Sequence, residues 1–179
     1  MVPILKRGKM NDLANKHGAT IWELLVYGTL IAIVYAGAIQ MTWIWQHSLL
    51  YAQVHTICML CNYARQCALH SLAGQTVFFD IKKNSCRYGE IEEKFAPGIY
   101  FGTASTVYGP PRSPTKIVQK PVTFVGEKMV CYPSGIMQSG ALYLTDCYKR
   151  ATYAISNAVS TVSHMRIYRW NGKKWDFLS

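Results

Sequence analysis

Charge is missing from a long stretch of this chain. Residues 24 to 64 contain no Asp, Glu, Lys or Arg. A membrane crossing needs about 20 apolar residues, so the uncharged stretch is longer than one crossing requires. Acidic residues are scarce throughout: 9 Asp and Glu stand against 19 Lys and Arg, for a formal net charge of +10. Such a balance suits an anionic partner, nucleic acid or lipid, or more plainly solubility and membrane topology. The patterns of hydrolytic and phosphate chemistry are also missing: there is no nucleophile elbow, no phosphate-binding glycine loop and no H-E-x-x-H. The histidines, His17, His47, His55, His70 and His164, are scattered. No catalytic residue is assigned, and no enzymatic activity is expected. No internal repeat or low-complexity segment stands out.

What is present begins with a basic leader. Lys6, Arg7, Lys9 and Lys16 stand against Asp12, and the apolar run follows. Positive charge stays on the cytoplasmic side of a membrane, so the N-terminus is expected inside and the rest outside, in the periplasm of a diderm bacterium. The run is longer than the 7–15 residues of a secretory h-region, although Ala36-Gly37-Ala38 offers a small-x-small signal-peptidase site. Glu23 sits at the head of the run. A carboxylate costs about 2.5–3.5 kcal/mol at a membrane helix centre and less near the interface, so its presence needs a reason.

With half its residues hydrophobic, the chain suits one membrane segment plus one domain of roughly 100–150 residues. Leu50, Val54, Ile57, Cys61, Ala64 and Ala68 step by four and three, one face of a helix that needs a packing partner and ends near Gly74. From Gln75 the pattern changes to short β-rich runs bounded by turn residues: 75–81, 99–101, 122–125, 129–132, 141–145, 152–156 and 164–170. Residues 82–98 read as charged and turn-prone, and 109–114, with three prolines, as a loop. Asn171-Gly172 is a strong hairpin signal that folds residues 174–177 back onto the preceding strand. One long N-terminal helix followed by antiparallel strands makes an α+β fold.

Six cysteines permit up to three disulfides without fixing their connectivity. Cys131 and Cys147 flank an expected hairpin and are the favoured pair. Cys58 and Cys61 form a C-x-x-C with His55 nearby, but successive i+3 steps on a helix drift around it rather than converge on a metal. The motif also lies mid-helix, where a thioredoxin-like pair wants a helix start. Neither a metal nor a cofactor is assigned. The basic, aromatic tail, with Arg166, Arg169, Lys173 and Lys174 among Tyr168, Trp170 and Trp175, is the best candidate binding surface. Its cations suit phosphates and its rings suit stacked bases, against the plain alternative of an exposed hairpin charged for solubility.

The order of basic leader, Gly18, Ala19-Thr20-Ile21-Trp22-Glu23 and apolar helix resembles the type IV pilin and pseudopilin family. There a glycine is followed typically by Phe-Thr-Leu-Ile-Glu; Ala19 replaces the phenylalanine here. Pro133-Ser134-Gly135, Gly140, Leu142-Tyr143-Leu144 and Arg166-Ile167-Tyr168-Arg169, with Ala64, Arg65 and Ala68 at the helix end, are similar to the GspH/FimT branch. The resemblance implies a pilin-like fold: leader 1–18, a membrane-spanning and amphipathic helix over 19–74, and a periplasmic antiparallel β domain over 75–179. It implies cleavage after Gly18 by a prepilin peptidase, N-methylation of Ala19, and pairing of Glu23 with the N-terminal amine of a neighbouring subunit in a filament. The partners implied are other pilins or pseudopilins, the peptidase and the inner membrane. DNA joins them because some members of this branch bind it through basic residues at this end. The machine stays open among a type II secretion system, a type IV pilus and a DNA-uptake pilus. Outside the family, the rival readings are a secreted or membrane-tethered periplasmic binding protein, processed after Ala38 or not at all, and a periplasmic redox or metal protein built on Cys58 and Cys61.

Overall fold

The computed structural model describes residues 9–104, 107–109, 117–157 and 164–178, with side chains from residue 20 onward. The fold is α+β: among the described residues one long helix, α1 (Lys9–Ser71), precedes nine strands in two antiparallel sheets. The chain divides into two compact units, Met1–Ile44 and Trp45–Ser179.

In the first unit the described side chains, 20 to 44, are all exposed. Leu24, Ile31 and Val34 are each about 70% accessible. The hydroxyls of Thr29 and Thr42 donate to the carbonyls of Val26 and Ile39, each at 2.8 Å. Such back-bonding gives a hydroxyl its partner within the helix, so these two polar groups add little cost in an apolar setting. Among the described residues one helix is long and apolar enough to cross a membrane.

In the second unit α1 becomes amphipathic. Leu50, Val54, Ile57, Cys61, Ala64 and Ala68 are all fully buried, the face that the four-three spacing predicts. Small residues at 61, 64 and 68 let the helix backbone approach the sheets closely. The helix stops at Ser71 because Leu72 turns left-handed, with φ 51°, a conformation that commonly ends helices.

Strands β1 (Gln75–Asp80), β2 (Ser85–Tyr88), β3 (Ile91–Lys94) and β5 (Lys128–Cys131) form a four-stranded sheet in the order β3-β2-β1-β5. Strands β4 (Ile99–Phe101), β6 (Gly140–Asp146), β7 (Thr152–Asn157), β8 (Met165–Trp170) and β9 (Trp175–Phe177) form the other sheet, in the order β4-β6-β7-β8-β9. One core joins both sheets to the helix, with Phe79 of the first sheet 6.4 Å from Phe101 of the second.

Two parts of the sequence reading change. The stretch 82–98 contains the β2–β3 hairpin, hidden in the sequence because its exposed positions are mostly Arg, Glu and Lys and only Ser85 and Cys86 are buried. The expected strand at 122–125 is instead a single bridge, Val122 to Leu142, followed by a 3₁₀ turn at Val125–Glu127. Phe124 leaves the strand line to enter the core against Phe79, 5.7 Å away. The loop expected at 109–114 lies, from Pro110 on, outside the described residues.

The central strands of the five-stranded sheet are buried on both faces. Positions 141 to 146 of β6 are all buried, as are 152 to 155 of β7. Its outer face carries a second apolar cluster of Ala141, Tyr143 and Ala154, with Val118, Tyr168 and Trp175 against it. Trp175 Nε1 donates to the carbonyls of Tyr108 at 3.2 Å and Gly109 at 2.8 Å, fastening the 107–109 segment over this face.

Candidate functional site

Three groups of residues carry the functional expectations, and the structure places them separately. Gly18 and Ala19 lie within α1, with their side-chain surroundings outside the described residues. Glu23 is exposed on the same helix, immediately before the uncharged run. Among the described residues it has no ion-pair partner.

The two favoured cysteines do not meet. The sequence reading makes β5 and β6 a hairpin, but β5 pairs with β1 whereas β6 pairs with β4 and β7. Cys131 is therefore buried at the end of one sheet, and Cys147 is exposed in the turn after β6 of the other; both thiols are free. Cys58, Cys61 and Cys86 are free and buried as well. Burial pushes the Cys86 thiol up to about 12 and that of Cys131 up to about 11, the latter moderated by the nearby Arg65 guanidinium. Burial also raises Cys58 and Cys61, so these are protonated packing groups. His55 faces Tyr51, ring centroids 4.4 Å apart. Among the described residues no three His, Cys, Asp or Glu side chains come together to hold a metal.

The basic tail is divided by strand alternation. Successive residues of a strand point to opposite faces, so Arg166 and Arg169, three apart, cannot share one. Arg166 lies opposite Ser156 on the outer face, and its Nε donates to His164 Nε2 at 3.5 Å. Arg169 is on the face toward the helix. Its positive field, after desolvation, helps lower the pKa of His47 and opposes the rise that burial gives Tyr153. His47 Nε2 lies 3.2 Å from the Tyr153 hydroxyl. Lys173 and Lys174 sit in the β8–β9 loop, where the Asn171 side-chain oxygen accepts from both of their backbone N–H groups. Lys174 Nζ is 3.9 Å from the Asp176 carboxylate.

Register brings other cations to Arg169, Lys173 and Lys174. Tyr153 pairs with Arg169, and Thr145 with Thr152. The β6–β7 and β8–β9 turns therefore lie at the same end of the sheet. The first turn contributes Lys149 and Arg150, both exposed. The tail reading missed them because they lie about twenty residues upstream; a basic pair in a turn was the only signal. Next to that turn is a cleft of about 360 Å³ lined by Tyr100, Thr103, Gln119, Asp146, Cys147 and Lys149. The Asp146 carboxylate there is occupied, accepting from the backbone N–H of Arg150 at 2.8 Å and of Ala151 at 3.4 Å. It holds the turn rather than serving as a free base.

The architecture defines the chain as an α+β protein with one long apolar N-terminal helix and antiparallel sheets. No protein family, curated protein or solved structure matches it.

Proposed function

We propose that the chain is a minor pilin or pseudopilin of the GspH/FimT type, a structural subunit of a filament or filament tip. The observation that carries this reading is the placement of Glu23. It is the fifth residue after Gly18 and stands, within α1, at the head of an uncharged run whose side chains from Leu24 to Ile44 are exposed. A carboxylate at membrane depth persists where it is paired. A free amine at Ala19, created by cleavage after Gly18, is the partner that a neighbouring copy supplies in a bundle of such helices. The continuation of the same helix into a domain of antiparallel strands supports this reading. The N-terminus is cytoplasmic, the β domain periplasmic, and the machine a secretion pseudopilus, a type IV pilus or a DNA-uptake pilus.

The test is the N-terminal sequence and intact mass of the mature protein, expressed with and without a prepilin peptidase. The expected product starts at methylated Ala19 only when the peptidase is present. A start after Ala38, or an intact Met1 in the presence of the peptidase, overturns the reading in favour of a secreted or tethered protein.

A further inference from the structure

The basic turns are gathered where the chain enters the folded unit. That unit begins at Trp45. Gln46 lies against Gly98, where an added Cβ would come 3.0 Å from its Oε1, and His47 meets Tyr153. Gly98 precedes β4, whose Ile99 pairs with Asp146, and Tyr153 pairs with Arg169. Trp45–His47, the 147–150 turn and the 171–174 loop therefore share one end of the five-stranded sheet. Further along, Arg65 reaches the Gly135 carbonyl at 2.8 Å, and the Asn157 amide donates to the Met137 carbonyl at 3.0 Å. These contacts mark the opposite end.

The near end carries Lys149, Arg150, Arg169, Lys173 and Lys174, all exposed. The acids beside them are engaged: Asp146 is buried in its turn, and Asp176 accepts from Asn171 Nδ2 at 2.8 Å and approaches Lys174. The exposed acids Glu90 and Glu92 belong to the edge hairpin of the other sheet. Tyr148, 63% exposed, lies in the same turn, 5.1 Å beneath the Arg150 guanidinium. Trp45, also 63% exposed, stands at the entry. Cations with amphipathic aromatic rings, at the end of a folded unit that directly follows an apolar run in the chain, are the composition of a membrane–water boundary.

The geometry points to a lipid-contact surface: the 147–150 turn, the 171–174 loop and Arg169 rest on the phosphates of an anionic bilayer surface beside the point where the chain leaves the membrane. This rests on the reading of residues 20–44 as membrane-spanning. It differs from a nucleic-acid surface in position: a patch tethered at the bilayer meets headgroup phosphates first and at high local concentration. Each Lys or Arg near an anionic surface contributes enough to shift the ratio of resting to lifted domain about fivefold.

Cys147, exposed in the same turn, provides the probe position. The test uses the full chain with Cys67→Ser, labelled with a fluorophore at Cys147. The labelled chain is reconstituted into vesicles of phosphatidylcholine alone or of about two parts phosphatidylcholine to one part phosphatidylglycerol, each with a headgroup-linked quencher. Quenching is expected to be stronger in the anionic vesicles and to fall at about 1 M salt, where the screening length is about 3 Å. It should also fall when Lys149→Gln and Arg150→Gln, or Lys173→Gln and Lys174→Gln, are introduced, with the circular dichroism spectrum unchanged. Arg166→Gln, toward the other end of its strand, should leave quenching as it was. Equal quenching in both vesicles, or a loss with Arg166→Gln as large as with the lysine pair, overturns the lipid contact while leaving the anchored helix in place. If the chain fails to float with either vesicle, the membrane reading fails and the contact with it. A response to short duplex DNA in neutral vesicles, without a response to phosphatidylglycerol, makes nucleic acid the partner and overturns the lipid assignment.

Discussion

At the scale of single residues, the interior holds polar atoms without partners. The Tyr143 hydroxyl is buried and finds no hydrogen-bond partner among the described residues, and burial pushes its pKa up to about 12. Trp170 Nε1, on the same aromatic face, is also buried and has no partner among the described residues. A hydroxyl removed from water without a partner costs about 1–3 kcal/mol by protein mutational data. Tyr143→Phe keeps the ring against Trp175, 5.9 Å away, and removes only that cost. The expected result is a gain of about 1 kcal/mol in unfolding free energy, read as a higher urea midpoint with an unchanged slope. A loss of stability would mean that the hydroxyl has a partner in solution. None of this was legible in the sequence, where Tyr143 is one apolar position in the Leu142-Tyr143-Leu144 run.

At the scale of elements, the β6 edge shows how a small residue permits a crossing. The segment 121–123 lies along β6: Thr123 N donates to the Ala141 carbonyl at 2.9 Å, and Tyr143 N donates to the Pro121 carbonyl at 2.8 Å. The Thr123 hydroxyl in turn accepts from Ala141 N at 2.7 Å. Phe124 then passes directly over Gly140. A Cβ at Gly140 would fall well inside van der Waals contact with the Phe124 ring, which is itself held against Phe79. Gly140→Ala is therefore expected to cost about 1–3 kcal/mol as overpacking, seen as a lower melting temperature. Phe124→Leu in the same chain should recover part of the loss by shortening the side chain. The strand content of 122–125 suggested an ordinary strand; what removes Phe124 from it is a core vacancy between the two sheets, which no local pattern encodes.

At the scale of the whole molecule, the thiols link the shared core to pH. Cys86 and Cys131 have folded-state pKa values raised to about 12 and about 11 from an ordinary 9.0, mainly by burial, and burial raises Cys61 well above 9.0 too. A group raised in the folded state contributes stability in full below its unfolded pKa and loses it as pH rises through the folded value. Stability is therefore expected to hold up to about pH 9 and to fall between about 9 and 12, by about 1.4 kcal/mol per pH unit for each buried thiol. Urea midpoints at successive alkaline pH values measure the slope, and Cys86→Ala should make it shallower. A flat profile would mean that these thiols are solvated or already oxidised. The same core explains the missing Cys131–Cys147 bridge: Cys131 ends β5 of one sheet, whereas Cys147 follows β6 of the other.

Periodicity and charge by themselves determined the apolar helix, its buried continuation at Leu50, Val54, Ile57, Cys61, Ala64 and Ala68, and most strands, because burial against water imprints one residue at a time. The Asn171-Gly172 hairpin was legible for the same local reason, although its loop spans the four residues between Trp170 and Trp175. Only the tertiary structure decided the rest. The division into two sheets, the polar β2–β3 hairpin and the convergence of Lys149 and Arg150 with Lys173 and Lys174 all depend on which strand pairs with which. Pairing is a long-range choice, made by the fit of the whole core and by no local signal in the chain.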